Sequence, residues 1–570
     1  MPNKIIMRGA RRNAGKNMKC QIRADWGAYK NTIEEWIAKT EKLSLVKRLW
    51  ENDSALWTRD PKAQAEIKSR LGWLLAPKDI ASSIEELIAF ARQVKESGVT
   101  HLVLLGMGGS SLAPEVFQTV FGNAQGFPGL IVLDSTDPGR VSDVQNKIDL
   151  AKTLFIVASK SGGTIELVSA FKYFFEKVKS INSDKPGEQF IAITDPASPL
   201  EALARKLGFK KTFLTPANVG GRFSALTYFG LVPAALIGLD IKKLLDKTYE
   251  MMADCSAETP AQENPALLLG IAMAVLSEEG RDKVTLLTTQ ELEPFGDWIE
   301  QLVAESSGKE GIGIVPVVRE PLGEIGRYGK DRFFVGLLPG GEPSDEIEKR
   351  LVSLAAKKHP TVTIPINETA DLAGQFFLWE MATAIACALL KINAFDQPDV
   401  QAAKDKTKSL LKVIEAKGQL AEKNAATKPA DFFGDLTPGD YVGILAFLPD
   451  RPLVKGVLVE LQAAIRDFSK NAVTVGIGPR YLHSTGQLHK GGPNSGAFIL
   501  ITAKPAQDLP IPGEKYSFGQ LEFAQAMGDY ETLSSKERRV IHLALEDASD
   551  KGMESLRASI QKAIAVWEMP

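Results

Sequence analysis

Two glycine- and hydroxyl-rich segments follow apolar runs of the chain and could bind an anion. The segment 106–111 (GMGGSS) follows the run 102–105, and the segment 159–164 (SKSGGT) follows the run 154–158. Glycines let backbone N–H groups approach an anion, and hydroxyls suit the oxygens of a phosphomonoester. Either segment alone is equally typical of a tight turn or a hydroxyl-capped helix start. Two of them at neighbouring strand ends favour one joint phosphate or sugar pocket.

A fixed cation and a carboxylate are the next candidates for chemistry. Gly220 and Gly221 precede Arg222, which permits a close-packed loop that aims the guanidinium inward. Gln301 and Glu305 are four residues apart and therefore share one face of a predicted helix, near its C-terminal end. The helix dipole disfavours a glutamate at this end of a helix. Such an unfavourable placement indicates a candidate for a functional role. Taken alone, Arg222 is better explained as a surface arginine after a turn, and a solvated carboxylate is the commoner fate of a glutamate such as Glu305.

A further segment adds an amide and a lysine. Asp396 and Pro398 predict a turn at the entry of a helix. Lys404 comes seven residues after Gln397, so the two are predicted to share a helix face two turns apart. An ordinary amphipathic helix is the alternative interpretation.

The segment 480–492 holds two of the five histidines, His483 and His489. It lies between the apolar runs 473–477 and 497–502 and is predicted to form a long polar loop. Such loops in compact domains are usually either functional or disordered. Because imidazole titrates near neutrality, the histidines are candidate proton shuttles. No acid or cysteine nearby completes a metal site, which disfavours a metal-binding pair.

The elements that position these residues follow from the hydrophobic pattern. After a helical region at 26–95, short apolar runs recur in three series, from 102 to 214, from 284 to 366 and from 441 to 502, and helical patterns separate most of them. The alternation predicts an α/β fold with doubly wound parallel sheets. The predicted parts are an N-terminal tail with helices, two α/β domains and a C-terminal α/β segment: 1–75, 76–245, 246–425 and 426–570, with a linker at 417–440.

The composition excludes several classes of protein. The formal net charge of the 570 residues is -2, which gives no sign of general binding to nucleic acid or to a membrane surface. Cys20, Cys255 and Cys387 are too few and too far apart for a disulfide framework and fit a reducing compartment. No uncharged run is long enough to predict a transmembrane helix. The basic first 24 residues lack a secretory signal core; a solvated tail, a transit peptide and a true start at Met18 are the alternatives.

Taken together, the motifs resemble the phosphoglucose isomerase family. The segments GMGGSSLAP, SKSGGTIE, GGRFSALTYFG, QLVAESSGKEG and NAFDQPDVQAAK occur in the order of that family, between residues 106 and 404. With its late segment LHSTGQLHKGGP, the whole chain is most similar to the isomerase half of fused transaldolase–phosphoglucose isomerase proteins. No room is left for an aldolase barrel of about 250 residues. The resemblance implies two sugar-isomerase (SIS) domains of doubly wound α/β fold.

The resemblance also implies an activity and the roles of residues. The activity is the reversible isomerisation of glucose 6-phosphate and fructose 6-phosphate by proton transfer, without a metal or an organic cofactor. Glu305 would move the proton between C2 and C1, Arg222 would stabilise the enediolate, and Lys404 would serve ring opening. The implied phosphate and sugar pocket consists of Gly109, Ser110, Ser159, Lys160, Ser161, Thr164, Gln301 and Gln397. We expect a cytoplasmic homodimer that binds a small sugar phosphate and neither nucleic acid nor a membrane.

One position departs from the family pattern. Family members usually carry a catalytic histidine between the base segment and the final lysine, in an Asn-Gly-Gln-His context. Between residues 309 and 404 this chain has only His359, in Lys-Lys-His-Pro, which does not match. We therefore assign ring opening to His489, which follows Thr-Gly-Gln-Leu, with His483 as the runner-up. A non-catalytic sugar-phosphate regulator and an isomerase of a related sugar, such as mannose 6-phosphate, are the alternative functions.

Overall fold

The computed structural model describes residues 22–340, 343–420 and 428–568, which form three α/β units. The interpretations of the basic N-terminal segment, of Cys20 and of the middle of the predicted linker lie outside these residues. The two predicted sugar-isomerase sheets and a third α/β sheet are all present, so the fold class is confirmed. The domain boundaries stay predictions.

A short strand and five helices precede the first sheet: β1 (Arg23–Asp25), α1 (Lys30–Lys42), α2 (Leu45–Trp50), α3 (Pro61–Lys68), α4 (Ala76–Asp79) and α5 (Ile84–Glu96). Tryptophans attach this region to the core of the second unit. The Trp57 Nε1 group donates a hydrogen bond to the Ala384 carbonyl (3.0 Å), and Trp50 stacks on Phe377 with ring centroids 5.8 Å apart. The N-terminal helices therefore share one hydrophobic core with the first and second units.

The first unit contains β2 (His101–Leu105), α6 (Leu112–Val116), β3 (Gly129–Leu133), α7 (Pro138–Lys147), β4 (Thr153–Ala158), α8 (Ile165–Ile181), β5 (Phe190–Thr194), α9 (Pro199–Leu207), β6 (Lys211–Leu214), α10 (Tyr228–Leu236) and α11 (Ile241–Asp254). Its strands are parallel, in the order β3-β2-β4-β5-β6. The chain leaves β2 toward β3 on one side and returns to β4 on the other. The carboxyl ends of β2 and β4 therefore flank the crevice where open α/β sheets bind ligands. The two glycine- and hydroxyl-rich segments follow these two strands.

The second unit contains α12 (Pro265–Glu278), β7 (Lys283–Leu287), α13 (Glu293–Ser307), β8 (Val315–Val317), β9 (Arg332–Pro339), α14 (Pro343–Ala356), β10 (Thr361–Ile366), α15 (Asp371–Leu390) and α16 (Val400–Lys417). Its strand order is β1-β10-β9-β7-β8, and β1 is the antiparallel member. Because α16 begins at Val400, Gln397 precedes the helix. The prediction that Gln397 and Lys404 share a helix face is therefore wrong. The turn predicted at 396–398 lies just before α16, at the entry of the helix.

One described helix, α15, is long and apolar enough to cross a membrane, where the sequence predicted none. Its most apolar window has a mean hydropathy of 1.4, yet 94% of that window is buried inside the molecule. It packs between α11 and α12. That burial identifies α15 as a central helix of the core, because a buried core helix can be as long and as apolar as one that spans a membrane.

The third unit contains α17 (Pro429–Gly434), β11 (Tyr441–Phe447), α18 (Pro452–Ser469), β12 (Ala472–Ile477), α19 (Gly486–Gly491), β13 (Gly496–Ala503), α20 (Phe518–Ser535), β14 (Arg539–Leu545) and α21 (Asp550–Glu568). Its parallel strands have the order β12-β11-β13-β14. The prediction of a long loop at 480–492 is wrong, because most of this segment folds into a 3₁₀ turn (Arg480–His483) and α19. All of α19 is buried, and burial rather than local polarity decides its conformation.

Candidate active site

Two glycines of the first polar segment bring three parts of the chain together. A Cβ on Gly109 would lie 2.0 Å from the Gly221 carbonyl oxygen, so only glycine permits this approach to the arginine-bearing turn. Gly108 has a φ of +53°, and a Cβ there would lie 2.6 Å from the His483 carbonyl oxygen. The turn after β2 therefore touches both the Gly221–Phe223 turn and the start of the histidine segment. Ser110 ends the same turn and is partly exposed.

The second polar segment forms a cluster of hydroxyls after β4. The Ser159 Oγ and Thr164 Oγ1 atoms are 3.2 Å apart, and the Gly162 N–H donates to Ser159 Oγ (3.1 Å). The Gly163 N–H donates to Ser161 Oγ at 3.4 Å. Hydroxyls and N–H groups folded into so small a loop are suited to hold a phosphate group.

Lys160 is the exception within that segment. Its Nζ atom pairs with Asp195 Oδ2 (2.5 Å) and donates to the Ala217 carbonyl (3.1 Å). Asp195 is in turn held by the Thr215 hydroxyl at 2.7 Å. The ammonium group is thus engaged by a carboxylate of the next strand end, and only the backbone of Lys160 belongs to the hydroxyl cluster.

Arg222 is buried and its guanidinium donates four hydrogen bonds. Nε donates to the Ser306 hydroxyl (2.8 Å) and Nη1 to the Gln397 side-chain oxygen (2.7 Å). Nη2 donates to the carbonyls of Ala394 (2.6 Å) and Asp396 (2.9 Å). A planar fork fits these fixed partners, whereas a lysine could not satisfy them together. The arginine therefore connects the first unit to α13 and to the 394–397 turn.

Glu305 lies in the last turn of α13 and is buried beside this cation. Its Oε1 atom is 3.3 Å from Arg222 Nη1, and its Oε2 accepts a hydrogen bond from Gln301 Nε2 (3.0 Å). The guanidinium offsets the cost of a carboxylate at a helix C-terminus. The Gln301 Oε1 atom is buried and accepts no hydrogen bond from the described residues. It is an available acceptor next to the carboxylate.

His483 approaches the same pocket from the third unit. Its carbonyl accepts from Gln301 Nε2 (2.7 Å), and its Nε2 atom lies 2.8 Å from Glu166 Oε1. Glu166 also accepts from Gln525 Nε2 (2.6 Å). Burial alone would raise the pKa of Glu166, but the facing His483 and the more distant charge of Lys404 hold it below its ordinary value. Lys404 itself is exposed on α16, and its charge acts on Glu166 by electrostatic attraction at a distance.

The structure does not bring His489 together with Glu305. The His489 ring is 2% exposed and packs against Tyr441, Tyr481 and Phe498, with Nδ1 3.0 Å from the Tyr441 hydroxyl. Burial first, and then the nearby Lys490 and Arg538 charges, place the pKa of His489 well below its ordinary value. These contacts describe a neutral core histidine. His483 is the histidine that reaches the carboxylates.

Three functional candidates were missed in the sequence. Glu166 follows Thr164 by two residues inside a segment that was singled out, but nothing local shows that it faces a histidine. Ser306 likewise adjoins Glu305 and holds Arg222. Lys309 is buried, and its Nζ donates to the Asn393 carbonyl (2.6 Å) and to Asp396 Oδ1 (2.7 Å), which fixes the 394–397 turn.

Among the described residues no group of three or more His, Cys, Asp or Glu side chains is arranged to hold a metal ion. The charged groups of the pocket are instead paired with one another: Glu305 with Arg222, and Glu166 with His483. Such an arrangement can accept a proton, return it, and stabilise negative charge that develops on an oxygen.

Comparison with known proteins accounts for this arrangement. The family model described as Phosphoglucose isomerase matches residues 83–323. A protein of Carboxydothermus hydrogenoformans named glucose-6-phosphate isomerase is 32% identical over 399 residues, which cover 60% of this chain and 85% of that one. The chain belongs to the phosphoglucose isomerase family. A second relative of the same name, from Prochlorococcus marinus (strain NATL2A), is 29% identical over 413 residues, covering 64% of this chain and 76% of its own.

Solved structures support the fold of this family member. A hypothetical protein from Thermus thermophilus superposes with a TM-score of 0.59 at 24% identity and covers 69% of this chain and 100% of its own. A glucose-6-phosphate isomerase from Chlamydia trachomatis gives 0.53 at 19% identity, with 68% and 87% covered. The family model ends at residue 323, before the third unit begins.

Proposed function

We propose that the chain interconverts glucose 6-phosphate and fructose 6-phosphate, with Glu305 as the group that carries the proton. The observation behind this proposal is the buried Glu305–Arg222 pair, 3.3 Å apart, and the hydroxyl cluster of 159–164 is the second feature that supports it. Membership of the phosphoglucose isomerase family and the names of the relatives support the same reaction. A protein that only binds a sugar phosphate would gain nothing from a buried base matched to a cation.

The phosphate group is assigned to the turn after β4 and the sugar to the space next to α13. The hydroxyls of Ser159, Ser161 and Thr164 would donate to the phosphate oxygens, and the Gly162 and Gly163 N–H groups orient two of these hydroxyls. Gln301 Oε1, which lacks a donor among the described residues, would accept a sugar hydroxyl. Binding the phosphate away from the reacting carbons positions C1 and C2 against the base.

The isomerisation itself needs one base and one cation. The Glu305 carboxylate removes the proton from C2 of the open aldose, and the electrons of that C–H bond form the enediolate. Arg222 stabilises the negative charge on its oxygen, because its guanidinium is already fixed by four hydrogen bonds. The hydroxyl proton moves from O2 to O1, so that the negative charge lies on O2. Protonated Glu305 then returns its proton to C1, and the C2–O2 bond becomes the carbonyl of the ketose.

We assign ring opening to His483 rather than to His489. The His483 ring is 16% exposed and bonded to Glu166, so it can exchange a proton with a ligand while the carboxylate orients it. The contacts of His489 support a structural role, and its catalytic role stays a prediction without a supporting contact. Lys404 remains assigned to the same step, as an exposed cation whose charge is felt at Glu166.

Two finer expectations accompany the activity. The cytoplasmic location stays a prediction, and so does the homodimer. The third unit supplies His483 to the pocket of its own chain, so the proposed site is built from residues of a single chain. We therefore propose that activity does not require exchange of this histidine between subunits.

The test is a coupled assay of the purified chain on fructose 6-phosphate, glucose 6-phosphate and mannose 6-phosphate. Turnover between the first two, abolished by Glu305→Gln, is the expected result. Binding of fructose 6-phosphate without turnover by the unaltered chain would identify a sugar-phosphate regulator instead. Faster turnover of mannose 6-phosphate would assign the related isomerase activity.

A further inference from the structure

A cavity of about 660 Å³ lies where the three units meet. Strand ends from all three sheets open into it, with 134–135 following β3, Thr288 following β7 and 448–450 following β11. Neither Glu305 nor the hydroxyl turn after β4 lines this cavity, so it is distinct from the isomerase pocket. A crevice at the carboxyl ends of parallel strands is where α/β proteins bind small molecules.

The cavity has an apolar wall and a charged wall. Leu458 and Val459 of α18, together with Val475 of β12, contribute to the apolar side. On the charged side, carboxyl groups outnumber cations, seven to four. Buried apolar surface beside excess negative charge favours a ligand with an apolar body and a positive end.

Two of the three arginines that line the cavity, Arg480 and Arg319, are already matched by carboxylates, and the third, Arg140, donates to the Val132 carbonyl at 3.0 Å. Arg480 pairs with Glu115 and lies 3.4 Å from Asp134. Arg319 donates to both carboxylate oxygens of Asp297 at 2.7 Å and to Glu293 at 2.7 Å. These cations are therefore poorly placed to bind a phosphate or carboxylate of a ligand.

Glu300, on α13, is the acid left over. No hydrogen bond or ion pair to its carboxyl group occurs among the described residues, although the group lines the cavity and is partly buried. Burial raises the pKa of Glu300 to about 8, Asp297 adds to the shift, and Arg480 and Arg319 oppose it. A positive group placed in the cavity would stabilise the ionised carboxylate.

We propose that this cavity is a second ligand site, which binds a small amphipathic cation. The ammonium group pairs with Glu300, and the apolar body lies against α18. Ser484 also lines the cavity and directly follows His483. A ligand bound in the cavity would therefore lie against the residue next to the proposed ring-opening histidine. The proposal concerns binding and stands whether or not the isomerase assignment is correct.

The test is isothermal titration calorimetry of the full chain with 2-phenylethylamine, and with 3-phenylpropionate as the matched anion. We expect the amine to bind and the anion not to bind. Because Glu300 is mostly protonated at pH 7, amine binding there should release close to one proton, seen by comparing buffers of different ionisation enthalpy. Affinity should rise about 8-fold between pH 7 and pH 8.5 as Glu300 ionises.

Substitutions separate this site from unspecific binding. Glu300→Gln should weaken amine binding at pH 8.5 by about 10-fold or more and abolish the proton release. Val459→Trp should block the cavity from an exposed position of α18, whereas Leu453→Trp, on the same helix but outside the lining, should bind normally. Saturating fructose 6-phosphate should leave amine binding intact.

Four results would overturn the proposal. They are no heat from the amine at millimolar concentration, equal binding of the anion, unchanged binding by both Glu300→Gln and Val459→Trp, and displacement of the amine by fructose 6-phosphate. The last result would place the amine in the isomerase pocket. None of them depends on turnover, so a failed isomerase assay would leave the binding test untouched.

Discussion

Two buried carboxylates of the pocket are each matched to a cation, but the two cations differ in kind. Glu305 faces Arg222 at 3.3 Å, where α13 meets the first unit. Glu166 faces His483 at 2.8 Å, where the first unit meets the third. In both regions an opposite charge offsets the cost of burying the acid. Arg222 contributes a guanidinium that is fixed by four hydrogen bonds, whereas His483 contributes an imidazole, the side chain that most often acts as a general acid or base.

That difference separates two chemical tasks. A guanidinium beside Glu305 suits the proposed roles, in which Glu305 takes a carbon-bound proton and Arg222 stabilises the enediolate. An imidazole held by Glu166 suits the proposed role of His483, in which the ring delivers or accepts a proton at a sugar oxygen. The proposed base site therefore has a fixed charge beside its carboxylate, and the proposed ring-opening site has an imidazole that can exchange a proton.

The largest effect should come from removing the proton carrier at the fixed-charge site. Glu305→Gln keeps the shape and the hydrogen bond from Gln301 but cannot accept the proton from C2. We expect kcat to fall by about 10³-fold, within the usual range for a positioned base, while KM changes little. Steady-state kinetics in both reaction directions give the measurement.

Glu310→Gln is the matched control for that prediction, because Glu310 is exposed just beyond the end of α13. It should retain turnover close to that of the unaltered chain. Near-normal kcat in Glu305→Gln would remove Glu305 from the mechanism and end the comparison between the two sites.

A smaller effect, on KM rather than kcat, should follow from changes in the hydroxyl cluster. Ser159→Ala combined with Thr164→Ala removes two donors to the phosphate. Each hydrogen bond to a charged group contributes about 1.5–3 kcal/mol, so KM should rise on the order of 10²-fold. Lys160→Met is the contrasting variant, since the ammonium group is engaged by Asp195. A KM increase in Lys160→Met as large as in the double variant would show that Lys160 binds the phosphate.

The base site was predictable from the sequence because its signals are local. Gln301 and Glu305 share a helix face by spacing alone, and the glycines before Arg222 indicate a close approach of the backbone. The resemblance to the family, which is confirmed, added their roles. The strands were also predictable from local sequence, because a buried parallel strand is a continuous apolar run.

The histidine site was not predictable, because its pairing spans the whole chain. Glu166 and His483 are 317 positions apart, and no local pattern joins them. The motif Thr-Gly-Gln-Leu-His pointed to His489, but α19 turns that ring toward Tyr441 and the core. Which of two nearby histidines faces a pocket depends on how the third unit docks, which is a property of tertiary structure.

Replacing each of the two histidines by alanine tests which of them belongs to the proposed ring-opening site. His483→Ala should lower kcat/KM for the cyclic hexose phosphates about 10-fold, below the usual effect of a positioned acid, because these sugars also open spontaneously. It should leave an open-chain aldotetrose phosphate nearly unaffected. His489→Ala should lower both activities equally and reduce stability by about 2 kcal/mol or more, since it empties a packed site. Selective loss in His489→Ala instead would restore the first assignment.

The smallest expected effect is on stability at low pH, and it probes the same pair without substrate. The pKa of Glu166 is lowered in the folded chain, so ionised Glu166 contributes stability above its unfolded pKa and loses it as pH falls through the folded value. In His483→Gln the facing cation is gone, while burial still favours the protonated acid. Acid unfolding followed by circular dichroism should therefore begin at a higher pH in His483→Gln. His101→Gln, whose ring bonds the neighbouring Thr100 hydroxyl at the surface, is the matched control and should unfold like the unaltered chain. Coincident acid transitions in all three proteins would mean that the pair carries no charge coupling, and His483 would then lose its proposed partner.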